Sequence, residues 1–192
     1  MGALELLPPA LKRHRIGADA YLRMAEQGLL PRDVRMELID GEIIEMASIG
    51  TRHWATVNRL TRLMVSALGE RAVVSVQCNF RLDDFSQPEP DLGIFLPRTD
   101  FYVGALPGAS DTLLLIEVAD TSARYDRLIK LPLYARCGVP ELWIVDLDAG
   151  VLRMYREPRG DDSLQATATA QPGVVGIAAL PGIPIDLTGV LG

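Results

Sequence analysis

The chain switches repeatedly between an alternating pattern of apolar residues and one with a period near 3.6, and each switch marks an element. Gly17 to Gly28 (GADAYLRMAEQG) predicts a short helix with Tyr21, Leu22 and Met24 available for packing and Gly28 as its stop. VRMELI and EIIEMA flank Asp40-Gly41, a strong hairpin signal because both central residues need positive φ. Thr51 to Leu68 predicts a helix in which Trp54, Val57, Leu60, Met64 and Leu68 recur at helical spacing. AVVSVQC (Ala72 to Cys78) and DLGIFL (Asp91 to Leu96) read as strands around a polar connection holding Asp83, Asp84 and Glu89. TLLLIEVA (Thr112 to Ala119) is almost continuously apolar, as a strand buried on both faces should be. A helix over Asp126 to Arg136 leads into a second buried strand, ELWIVD, and Pro132 requires that helix to start late or to kink. Asp148-Ala149-Gly150 opens a hairpin with VLRMYRE, PRGDDS (Pro158 to Ser163) reads as an exposed loop, and the tail should close one edge with small strands or turns.

This order of elements, α-β-β-α-β-β-β-α-β-β, predicts an α/β architecture: a mixed central sheet flanked by helices. At 192 residues the chain suits one domain, read as residues 17–192, behind a mobile leader of residues 1–16. No apolar run approaches the roughly 20 residues of a membrane helix, so no membrane partner is expected. Cys78 and Cys137 match no metal-ligand spacing and read as reduced thiols, which suits a cytoplasmic protein. The net charge of −6 argues against a protein that coats nucleic acid, which needs clustered Lys and Arg, but leaves room for an enzyme with an acidic metal site.

Three features converge on such a site. Gln87-Pro88-Glu89-Pro90-Asp91 places an acid at the start of a strand. Glu117 lies inside the most apolar strand, where an unpaired charge is very costly and a partner or ligand is required. Lys130 sits among Leu128, Ile129, Leu131 and Leu133 on the following helix, which can hold an ammonium over the end of the sheet. Two carboxylates and a lysine suit phosphodiester hydrolysis: hard oxygens hold Mg²⁺, with Mn²⁺ as substitute, and lysine orients water or neutralises developing charge. The bland alternative is a structural Glu117–Lys130 salt bridge with Asp91 capping a turn.

GEIIEM, QPEPDL and above all IEVADTSARYDRLIKLPLYARCGVPELWIVD resemble the Uma2 family of bacterial endonucleases, within the PD-(D/E)XK superfamily. The similarity runs from about Tyr21 to the C-terminus and is most specific over Glu117 to Asp146. It implies a restriction-endonuclease-like fold and Mg²⁺-dependent cleavage of DNA by a homodimer. It makes Asp91 and Glu117 metal ligands and catalytic acids, with the carbonyl of Val118 as third ligand. Ala119 stands where an E-x-K triplet has its lysine, and Lys130 matches family members whose lysine has moved to the next helix.

Glu37 resembles an additional acid that precedes the core motif. Alternation in RMEL equally suits a solvent-facing hairpin residue. His53 resembles a histidine found in this helix of the family, although most such histidines are satisfied core neighbours. Asp120, Thr121, Ser122 and Arg124 read as cleft or as solvated loop, and Asp126 as an N-terminal cap. Two other functions compete: a non-catalytic nucleic-acid-binding module of the same fold, and a hydrolase of a small phosphorylated substrate. On the nuclease reading, Lys130→Ala is expected to suppress turnover while leaving the chain folded.

Overall fold

The computed structural model describes residues 12–160 and 162–191, without the side chains of residues 162–166. Its elements are α1 (Ala18–Glu26), β1 (Met36–Ile39), β2 (Glu42–Glu45), α2 (Thr51–Leu68), β3 (Val73–Val76), β4 (Leu92–Phe95), β5 (Thr112–Ala119), a helical stretch, and β6 (Glu141–Asp146) to β10. The helical stretch joins α3 (Ala123–Tyr125), a π-helical turn (Asp126–Lys130) and α4 (Leu131–Arg136). β7 (Val151–Arg159), β8 (Asp162–Thr169), β9 (Val174–Val175) and β10 (Ile185–Asp186) complete the order. Six strands form one sheet in the order β3-β4-β5-β6-β7-β8. Only β5 and β6 are parallel, joined across the sheet by the helical stretch, so the sheet is mixed as the alternation of elements predicts.

β5 is the central strand, and all eight of its residues are buried. Leu114, Ile116 and Val118 point to one face, where they pack with Val57, Leu60 and Met64 of α2. Leu115 and Ala119 point to the other, against Leu133 and Tyr134 of α4 and the rings of Phe80 and Phe95. The tail does more than close an edge. Ile177, Ile183, Ile185, Leu187 and Val190 are buried in the core beneath α2. Trp54 departs from the expected apolar stripe: the buried face of α2 is His53, Thr56, Val57, Leu60, Met64 and Leu68, and Trp54 faces solvent.

The β1–β2 hairpin forms as its turn dictates, with Asp40 at φ 52° and Gly41 at φ 82°. It is a separate two-stranded sheet, tied to the body where Leu38 and Gln87 exchange backbone hydrogen bonds. Residues 1–11 of the expected leader lie outside the described residues; Ile16 N–H bonds to Gly41 O, and the Arg15 guanidinium lies over the Phe85 ring. PRGDDS is not a free loop. Pro158 and Arg159 continue β7 and pair with Ser163 and Asp162 of β8, because long hairpin arms carry the ladder to the turn.

Candidate active site

The site lies where β4 and β5 part. Their register runs back to Leu92 opposite Ile116, where β4 begins, because Pro90 has no N–H to extend the ladder towards the N-terminal side. One position further, the register brings Asp91 to the place facing Glu117. The Asp91 side chain takes over from the strand: Oδ2 accepts the backbone N–H of Val118 at 2.8 Å. His53, in the first turn of α2, places Nε2 3.1 Å from the same carboxylate. Its Nδ1 is buried without a partner among the described residues, which favours the tautomer carrying the proton on Nε2.

Glu117 projects from β5 towards the helical stretch. Its Oε1 accepts from Lys130 Nζ at 3.2 Å and from Tyr134 Oη at 2.7 Å. Lys130 reaches a second acid as well: Nζ lies 3.0 Å from Glu37 Oε2. Glu37 Oε1 accepts from Tyr125 Oη at 3.0 Å, and the N–H of Glu89 approaches Oε2 at 3.3 Å. Glu37 and Lys130 are each 0% exposed, so the solvent-facing reading of Glu37 is wrong. Alternation tells only that Glu37 and Leu38 face opposite ways; here Leu38 packs on α1 and Glu37 on the site.

Tyr125, Asp126, Lys130 and Tyr134 reach this cluster together because of the π turn. Leu131 N–H bonds to the carbonyl of Asp126, five residues back, just ahead of Pro132. The wider turn accommodates the proline within a continuing helix and leaves Asp126 and Lys130 both buried. Asp126 is not a cap. Ser122 occupies the N-cap position and donates its hydroxyl to Asp126 Oδ2 at 2.9 Å.

Asp91, Glu117, Val118, Asp126, Lys130 and His53 line one cleft of about 200 Å³, together with Asp120, Thr121 and Ser122. Arg35, held by Glu89 at 3.0 Å, lines it too, whereas Arg124 is exposed outside it. Glu37 stands behind Lys130 rather than in the cleft wall, so it acts on the site through the lysine. Acids outnumber the buried cation. Burial pushes the Glu117 carboxyl up to about 8, and Asp126 and Asp91 add to the rise while Lys130 and Tyr134 oppose it. Burial likewise raises Asp126 to about 6. Burial disfavours the Lys130 charge, but Glu117, Glu37 and Asp126 outweigh it and hold the ammonium above its ordinary range.

Glu141 shows what a purely structural buried acid looks like in the same sheet. It accepts from Arg156, the Trp143 indole and the Ala178 amide. Glu117 differs in sitting on a surplus of carboxylate at a cleft wall. Among the described residues no three His, Cys, Asp or Glu side chains stand arranged around a cation. The expected set needs only two acids and a carbonyl, and those hard oxygens under excess negative charge fit Mg²⁺. The roles of Tyr125, Tyr134 and Asp126 were missed by sequence reasoning; Asp126 and Tyr134 fall four residues on either side of Lys130, whereas Tyr125 is five away and joins them only through the π turn.

No curated protein matches the chain. A solved structure from Anabaena variabilis ATCC 29413, described as "a putative nuclease belonging to DUF820", is similar to it with 18% identity and a TM-score of 0.67. The likeness covers 85% of this chain and 90% of that one, and it bears out the expected restriction-endonuclease-like fold. A family model described as "Putative restriction endonuclease" matches residues 18–188, from the first turn of α1 to beyond β10. Since that span takes in each element that builds the cleft, the chain belongs to the Uma2 family.

Proposed function

We propose that the protein is a divalent-cation-dependent endonuclease that hydrolyses phosphodiester bonds of DNA. The observation that carries the reading is the meeting of Asp91 and Glu117 at the parted strands, with Lys130 held against Glu117. Asp91, Glu117 and the carbonyl of Val118 would hold Mg²⁺ or Mn²⁺, which when bound acidifies water and offsets charge on the reacting phosphate.

The chain's own groups supply the rest. The Val118 amide and His53 fix the Asp91 carboxylate, and Tyr134 fixes Glu117. Lys130 has three N–H donors and gives two to Glu37 and Glu117. The third has no acceptor among the described residues and can orient a water or meet developing negative charge. Glu37 and Tyr125 keep the lysine protonated and in place. The proposal extends to a homodimer in the cytoplasm, a compartment that both cysteines suit as free thiols.

The test pairs calorimetric Mn²⁺ binding with plasmid nicking for wild type, Asp91→Asn and Glu117→Gln. Both variants are expected to bind Mn²⁺ more weakly and to lose nicking. A Glu117→Gln protein that nicks as wild type does would show the site to be wrong. A wild type that binds DNA but cuts it with neither ion would make the protein a binding module.

A further inference from the structure

We infer that the outer face of α2 is a track for single-stranded nucleic acid leading into the cleft, with Trp54 stacking a base and Arg62 holding a phosphate. The inference rests on the nuclease reading and adds to it the form of the substrate strand.

The chain carries 25 acidic residues, yet from Met46 to Gly69 there is none. That stretch contains α2 and bears Arg52, Arg59 and Arg62, a basic element in a chain of net charge −6. The buried face of α2 is set by His53, Val57, Leu60, Met64 and Leu68. On its far side Trp54, Asn58 and Arg62 recur every four residues, so they form one exposed stripe. With a rise of about 1.5 Å per residue, the stripe spans about 12 Å along the helix. Its Trp54 end lies one turn from the cleft, whose wall takes in Gly50 and His53 but not Trp54 itself.

Trp54 has the largest side chain on the helix and is 63% exposed. Asn58 Nδ2 donates to the Trp54 carbonyl at 2.8 Å, which ties these two stripe positions together. Arg52 is engaged by Asp120 and Arg59 by the Gly189 carbonyl, whereas Arg62 has no such partner among the described residues. An aromatic face with a guanidinium two turns further along the same stripe matches what a single strand offers: bases with open faces and a phosphate at each step. A duplex keeps its bases stacked inside and offers Trp54 no face. A second copy of the chain is a poorer match, because a twofold contact through α2 would set its arginines against each other.

The experiment uses the full-length protein in EDTA, so that nothing is cut. It titrates the protein with a short oligothymidine strand and with a duplex hairpin of equal length. Trp143 is buried in the core, so a change in tryptophan emission reports on Trp54. The strand is expected to quench that emission. With binding read by the anisotropy of a dye on the oligonucleotide, Trp54→Ala should bind the strand about tenfold more weakly and the duplex unchanged, while Trp54→Phe keeps most of the affinity. Arg62→Ala should lower the slope of log K against log salt by about one.

Strand affinity unchanged in Trp54→Ala would overturn the inference, as would unquenched emission. So would a shift in sedimentation of Trp54→Ala, which would make the stripe a self-association face. Each of these leaves the nuclease reading intact so long as wild type still nicks plasmid. A wild type that binds neither strand nor duplex and nicks nothing removes both.

Discussion

Replacing Lys130 with Met removes the one cation buried among Glu37, Glu117 and Asp126 while keeping much of the side-chain volume. The ammonium lies 3.0 Å from Glu37 Oε2 and 3.2 Å from Glu117 Oε1. At an effective dielectric of about 20, unit charges roughly 3 Å apart attract by about 5 kcal/mol, most of which is offset by the desolvation of the ions. Removing one partner is a different matter, since it strands the other charge in the interior at a cost of about 3–5 kcal/mol. A Lys130 variant is therefore expected to lose a large part of the roughly 5–15 kcal/mol that holds a domain together. The sequence-based expectation that it stays comfortably folded is revised by the depth at which Lys130 sits.

Urea unfolding in EDTA gives the measurement. Lys130→Met should be destabilised by about 3 kcal/mol or more at pH 8 and by less at pH 5.5, where protonation relieves the stranded acids. Adding Glu37→Gln to Lys130→Met should restore stability, with a coupling of at least about 1 kcal/mol between the two positions. Equal losses at both pH values and no coupling to Glu37 would refute the idea that Lys130 acts as the counter-charge of the cluster.

Three further outcomes are expected. The Glu117 carboxyl rises from its ordinary 4.5 to about 8, so the folded state holds a proton that the unfolded chain releases. Cation-free stability should thus fall as pH climbs through that window, and Asp126 adds the same sign between 3.8 and about 6. Scanning calorimetry of Glu117→Gln should lack the fall between about pH 6 and 8, and a profile parallel to wild type there would contradict the assignment. Tyr134→Phe removes the 2.7 Å bond to Glu117 without opening a cavity, and should lower stability by about 1–3 kcal/mol. Unchanged unfolding midpoints would show that bond to be idle. Both polar side-chain atoms of Gln87 are buried without a partner among the described residues, so Gln87→Leu should stabilise the fold by about 1–2 kcal/mol in urea. A loss of stability instead would mean that internal water satisfies the amide.

Strong local signals carried the parts of the fold that were legible. Asp40-Gly41 has one good conformation, β5 is too apolar to be anything but central, and Pro90 before Asp91 marks a point that a strand cannot extend back across. The same features exposed Asp91 and Glu117. What escaped depended on contacts between distant segments. Glu37 faces inward only because α1 covers the opposite side of its hairpin. In α2, either His53 or Trp54 could begin the stripe that continues through Val57, and the buried partner Asp91 decides for His53. The irregular spacing of Ile177, Ile183, Ile185 and Leu187 has no period, so nothing local marks them as core.

The π turn at Asp126–Lys130 amounts to one residue more than a regular helix would use over that distance. Deleting that extra residue would heal the hydrogen-bond ladder and leave the turns before and after it facing as they do now, but Pro132 would then lie inside a regular helix with its ring against the carbonyl four residues back. Deleting a residue from the regular turn that follows, which has no bulge to absorb the change, would turn Tyr134 by about 100° away from Lys130 and Glu117. The reading frame of this short segment is thus a constraint in its own right: substitutions on its outer face are tolerable, whereas length changes are not. Among homologous chains, insertions and deletions should crowd outside the stretch from Glu117 to Tyr134 even where the residues themselves drift.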